Sequence, residues 1–263
     1  MEPILTRIKQ PPALVADGAM GTLLMERGLQ PGASPESLNL TNPEVLRDVA
    51  RLYLEAGADI VQTNTFGGSS LKLAYHGLED QSDEINRRAV AMVREGVGDG
   101  AYISGSCGPT GRILQPYGDA APAMIQESFA RQMSVLIEEG VDVICIETMI
   151  DLNEALLAIK AAKETSSDIP VITTMTFDDT PRGFYTVMGT SIAEAAASLV
   201  EAGADIVGTN CGCGIATMVQ IARVFREHTA VPLMVQSNAG IPQIIEGKVS
   251  FPETPDFFAQ QVP

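Results

Sequence analysis

A ten-residue phrase occurs twice in this chain. Glu-Ala-Gly-Ala-Asp-Ile-Val-Gln-Thr-Asn runs from Glu55 to Asn64 and returns, with Gly in place of Gln, from Glu201 to Asn210. A looser copy runs from Glu139 to Glu147. Each copy reads the same way physically. A helix ends, Gly takes the position just past its last turn, and a short loop leads into an apolar run. A run that is apolar almost throughout is what a strand buried on both faces of a parallel sheet requires. The polar residues at its far end are then delivered to one rim. Units of this kind, repeated, restrict the fold to parallel α/β.

Seven such runs are expected as strands: Ala13–Ala16, Asp59–Thr63, Tyr102–Ser106, Val141–Ile146, Val171–Thr176, Asp205–Thr209 and Leu233–Gln236. Between them lie amphipathic segments expected as helices: 42–56, 83–97, 126–139, 153–165, 192–201 and 216–228. Asn42-Pro43-Glu44 opens the first with a cap, a Pro and an acidic first turn, and Ser191 with Glu194 forms a capping box. No Gly-x-Gly-x-x-Gly follows the first strand, which argues against a dinucleotide-binding open sheet. The expectation is a (β/α)8 TIM barrel over 1–263, a single domain truncated before its last βα unit, so that strand 8 is missing.

Composition excludes several functions. There are 33 acidic against 17 basic residues, a net charge of −16, which disfavours nucleic acid as a partner. No apolar stretch approaches the roughly 18 residues of a membrane span, and Met1–Pro12 has no signal-peptide core. Four cysteines without an export signal suggest reduced thiols and a cytoplasmic location. Trp is absent, so the core must be aliphatic, as barrel cores often are.

The strand ends carry the candidate chemistry. Asp17 in Asp17-Gly-Ala-Met-Gly-Thr22 is either a turn cap or a carboxylate for a cationic group. Thr63-Asn64-Thr65 suits a small polar ligand, or simply shapes a loop. Glu147 directly follows buried apolar residues, a costly place for a charge unless it is paired or opens onto a cleft. Cys211 and Cys213 could face one side of a strand extension, but two thiols do not make a zinc site. Asn238 lies where the chain leaves the last strand. His76 and His228 read as ordinary surface residues.

Taken in order, Asp17-Gly-Ala-Met-Gly-Thr22, Thr63-Asn-Thr-Phe66, Gly108-Pro-Thr-Gly111, Glu147-Thr148, Asn210-Cys211 and Asn238-Ala-Gly240 resemble the homocysteine S-methyltransferases. The likeness is greatest to the homocysteine-binding modules of cobalamin-dependent methionine synthases, and it spans Leu14 to Gly240. The resemblance implies an enzyme of methionine biosynthesis that transfers a methyl group to a Zn2+-activated homocysteine thiol. Cys211 matches the first of three zinc-binding cysteines. The other two belong to a Gly-Gly-Cys-Cys-Gly motif that this sequence lacks. It further implies that Asp17 and Glu147 hold the substrate ammonium, with backbone near Gly18 or Met20 at its carboxylate. Asn64 and Asn238 would complete the binding set, and no residue acts as a catalytic acid or base. The donor would be methylcobalamin on a separate corrinoid protein or domain, with S-methylmethionine or a betaine as alternatives. Two rival readings remain. One is a non-catalytic barrel fragment that binds a small amino acid or a partner with an incomplete zinc site. The other is a metal-free lyase or aldolase using Glu147, although no Lys sits at a strand end to form a Schiff base.

Overall fold

The computed structural model describes residues 1–245 and 248–262. Six parallel strands form one sheet in strict chain order: β1 (Ile60–Gln62), β2 (Tyr102–Cys107), β3 (Val143–Met149), β4 (Val171–Met175), β5 (Ile206–Asn210) and β6 (Leu233–Gln236). Helices precede or connect them: α1 (Glu44–Glu55), α2 (Ser82–Val97), α3 (Pro122–Glu138), α4 (Leu152–Thr165), α5 (Ile192–Glu201) and α6 (Ile215–His228). The repeated phrase does what its residues dictate. Gly57, Gly140 and Gly203 all take positive φ just past a helix, and the chain turns directly into β1, β3 and β5. Ser191 caps α5 by accepting from the Glu194 amide at 3.2 Å.

Strand alternation sorts the core into two layers. Val61, Ile103, Ile144, Val171 and Val207 face the helices and pack with Phe129, Ile159, Leu199 and Phe225. Ile60, Tyr102, Val143, Ile172, Ile206 and Met234 face the other way and converge on Ile4. That residue lies on a short helix, Ile4–Arg7, and is buried. The segment Met1–Pro12, which offered no apolar run, therefore plugs the floor of the concave side with Ile4, Leu5 and Ile8.

The expected strand at Ala13–Ala16 is reduced to a single parallel bridge, Ala16 to Ile60. The cause is local: Pro11 and Pro12 lack amide donors, and Gly18 leads the chain away again. The segment still docks by backbone, with Asp59 N and Asp17 N donating to Val15 O and Ile60 O at 2.7 and 2.9 Å. The result is a curled six-stranded parallel sheet, consistent with part of a barrel. Two small hairpins rise beyond the strand ends, Asp178–Thr180 with Gly183–Tyr185 and Gln243–Ile245 with Lys248–Ser250, and the helix Pro255–Gln261 follows. Among the described residues, no helix is long and apolar enough to cross a membrane.

The one difference between the two copies of the repeat has a steric reason. Gln62 of β1 becomes Gly208 in β5, where a Cβ would lie 1.9 Å from the Met234 carbonyl oxygen of β6. Backbone cannot yield there as a flexible side chain would. Gly208→Ala is expected to cost at least about 2 kcal/mol, read as a lower denaturant midpoint.

Candidate functional site

The C-terminal ends of the strands gather the residues singled out above. Asp17 reaches the end of β1, where its Oδ2 accepts from the Gln62 amide at 2.8 Å. It is 6% exposed, and its Oδ1 is buried without a partner. Burial pushes its pKa up to about 7, helped by nearby Glu147 and opposed by the Gln62 amide. Glu147, near the end of β3, is 8% exposed. The Ser106 hydroxyl donates to its Oε1, and the Asn210 amide donates to its Oε2 at 3.2 Å. Burial raises this carboxyl too, against hydrogen bonds from Ser106 and Gln62. No cation among the described residues figures in either shift. Two buried carboxyls near one another without a positive partner form a site short of one positive charge.

Cys211 immediately follows β5, with its amide donating to Gln236 O at 2.9 Å. It and Thr148, just after Glu147, are the non-glycine residues with positive φ among those described, at 61° and 57°. A left-handed, β-branched Thr148 is held at a cost on the order of 1–3 kcal/mol, the kind of strain that collects at functional sites. Cys213 donates its amide to Cys211 O at 2.9 Å, and Asn238 donates its own to Cys213 O at 3.0 Å. The structure thus brings Asn238 to the Cys211 corner. Burial first, then Cys211 and three acids, pushes the Cys213 thiol up to about 11, so it stays protonated near neutrality. Cys213 is half-buried against the core.

Gly18 passes close to Tyr53, whose hydroxyl donates to Ala19 O at 2.9 Å and would lie 3.1 Å from a Cβ at Gly18. Met20 begins a short helix, Met20–Glu26, with no side-chain cap on its first amides. Asn64 is engaged elsewhere. Its amide nitrogen donates to Pro35 O and Asn39 Oδ1, both at 2.8 Å, which ties the β1 end to the preceding loop. Thr63 and Thr65 likewise turn inward, 2.6 Å apart, and Thr65 donates to Ser106 O.

Several supporting residues escaped the sequence reading. Buried Glu36 accepts from the Gly67 amide at 2.6 Å. Buried Glu154 accepts from both the amide and the hydroxyl of Thr110, which fixes the Gly108–Gly111 loop. Glu253 accepts from the Ile215 amide at 3.0 Å and caps α6 beside the cysteine loop. Their signal was weak, because each partner is 31 or more residues away.

A metal at Cys211 must be tested against these donors. Among the described residues, no three His, Cys, Asp or Glu side chains are grouped so as to hold one. Cys211 and Cys213 supply at most two thiols at this corner, fewer than a three-thiolate site needs.

The family model for homocysteine S-methyltransferases matches residues 14–263. Methionine synthases of Mycobacterium leprae and Mycobacterium tuberculosis are 31% and 32% identical over 266 residues, covering 94% of this chain but 22% of each relative. The chain therefore spans about a fifth of their length. An S-methylmethionine–homocysteine S-methyltransferase of Pongo abelii is 30% identical over 228 residues, 85% of this chain and 58% of the relative. Among solved structures, the metallated form of the Escherichia coli homocysteine methyltransferase MmuM superposes with a TM-score of 0.79 at 22% identity, covering 91% of this chain and 88% of that one. At that identity the superposition speaks for the fold. The family model and the mycobacterial relatives carry the assignment: this chain belongs to the homocysteine S-methyltransferase family.

Proposed function

We propose that this chain binds homocysteine as a methyl acceptor, with the ammonium between Asp17 and Glu147 and the sulfur toward Cys211. The observation that carries the reading is the pair of buried, uncompensated carboxyls, one with an unpartnered Oδ1, on the rim that also carries Cys211. An ammonium supplies the missing positive charge and fills that vacancy. Asn238, at the same corner as Cys211, lies toward the sulfur end. Asn64 commits its amide nitrogen to Pro35 and Asn39, so its part in the site is to brace the end of β1. The substrate carboxylate goes to the backbone around Gly18 and Met20.

The methyl donor in this proposal is a methyl-corrinoid carried by a separate protein or domain. Transfer would make methionine, in the reducing cytoplasm where four free cysteines persist. A free thiol with a pKa near 8.5 is mostly protonated at pH 7, so transfer needs a group that activates it. In the family reading that group is zinc, with Cys211 as one ligand. Because the described donors do not complete a zinc site, the role assigned to this chain is binding and orientation, and no step is derived through the metal.

Titration calorimetry with L-homocysteine tests the binding claim. Saturable one-to-one binding is expected, and absence of heat up to about 10 mM, a free energy weaker than about 3 kcal/mol, would contradict it. The incomplete donor set favours a second reading, an amino-acid-binding module without turnover. Metal analysis separates the two. This chain alone is expected to retain little zinc after dialysis, because one or two thiolates supply too little affinity. A protein extended with a Cys-Cys pair should hold about one zinc and lose it on Cys211→Ala. An extended protein without zinc would leave the binding-module reading standing.

A further inference from the structure

We propose that Asn210 is a positioning residue that sets the spacing between the ammonium end and the sulfur end of the site, and so selects homocysteine over cysteine. The inference rests on the homocysteine reading above and deepens it.

Asn210 is the last residue of β5, 5% exposed, and directly precedes Cys211. Its side-chain amide has two hydrogens and two acceptor sites, and all four are used. The nitrogen donates to Thr148 Oγ1 at 2.7 Å and to Glu147 Oε2 at 3.2 Å. The oxygen accepts from the Thr148 amide and from Thr174 Oγ1, both at 2.8 Å. Its backbone oxygen accepts from Thr176 Oγ1 at 3.0 Å.

The consequence is geometric. One amide grips both the carboxylate proposed to hold the ammonium and the left-handed Thr148 that follows it. The next residue along the chain is the left-handed Cys211, whose thiol marks the sulfur end. These partners come from the ends of two strands, so Asn210, itself at the end of β5, ties β3 and β4 to the start of the cysteine loop. A saturated amide has one favourable orientation, and rotation would leave buried groups unpaired. The separation between Glu147 and Cys211 is thereby fixed. Homocysteine and cysteine carry the same ammonium and carboxylate and differ by one methylene. A rigid spacing can distinguish them; a loose one cannot.

Asn210→Asp keeps the shape but replaces the two donor hydrogens with an acceptor facing Glu147. Thr174→Val keeps the strand residue and removes one bond to the Asn210 oxygen. Binding of L-homocysteine and of L-cysteine to the wild-type chain and to each variant would be measured by calorimetry under reducing conditions, with thermal melts alongside. Wild type is expected to favour homocysteine by about tenfold or more, in the range one methylene provides. In Asn210→Asp that preference should collapse to within about twofold, and in Thr174→Val it should fall in the same direction by less. A role confined to stability would lower the melting temperature and leave the ratio intact. If Asn210→Asp does not fold, Thr174→Val alone decides: a wild-type ratio there overturns the proposal. Wild-type ratios in both variants, with homocysteine still bound, remove this inference alone. A wild-type chain that binds neither thiol removes the homocysteine reading with it.

Discussion

Glu147→Gln is expected to weaken homocysteine binding by about a hundredfold, close to 3 kcal/mol, while leaving the chain folded. The isosteric amide still accepts from the Ser106 hydroxyl and keeps the volume, while its nitrogen faces the Asn210 amide and gives up one hydrogen bond. What disappears is the charge. A buried carboxylate without a cation is held at a cost until an ammonium arrives, and that relief is part of the binding energy. Removing the charge relieves that cost and the lost Asn210 bond offsets it, so the ligand-free chain should change little while the complex weakens strongly. Calorimetry and a thermal melt on the same sample read both effects, and a variant that binds homocysteine like wild type would exclude Glu147 from the ammonium site.

Asp17→Asn should abolish a pH trend. An acid that protonates near 7 when folded and at 3.8 when unfolded binds more protons in the folded state across that window. Stability then falls as pH rises from about 4 to about 7, by up to about 4 kcal/mol, and stays low above it. The amide variant has nothing to ionise at this position. It should match wild type near pH 4 and exceed it at pH 8 in urea unfolding. Binding runs the opposite way. An ammonium favours the ionised form, so wild-type affinity for homocysteine should improve as pH rises toward 7, whereas Asp17→Asn should bind weakly with the Asp17-dependent part of that rise removed. Equal urea midpoints at pH 8 would contradict the burial-driven shift.

The parts of this molecule that repeat were legible in the sequence, and the parts held from a distance were not. Glycine-terminated helices and apolar strands recur, so the sheet order and the rim bearing Asp17, Glu147 and Cys211 follow from local pattern. Ile192–Glu201 forms over the span its cap and apolar face predict. The first strand was overread: Val15 and Ala16 have the right residue type, yet the flanking prolines and Gly18 leave room for one bridge. Asn64 has the right place at a strand end, but its amide answers Pro35 and Asn39, 29 and 25 residues back. Asn210 was legible as a motif residue and invisible as a four-way tie, because its partners arrive from separate strands. The floor of the concave side was hidden in a segment whose Ile4, Leu5 and Ile8 are too few for a convincing period.

The central claim is that the rim of this sheet receives an amino-acid thiol, ammonium between two carboxyls and sulfur toward Cys211. A crystal structure of the chain soaked with L-homocysteine tests it most directly. The account predicts the ammonium within hydrogen-bonding reach of both Asp17 Oδ1 and Glu147, about 2.7–3.2 Å, with the sulfur on the Cys211 side. Homocysteine bound in the reverse orientation, or elsewhere while the rim stays free, would contradict it.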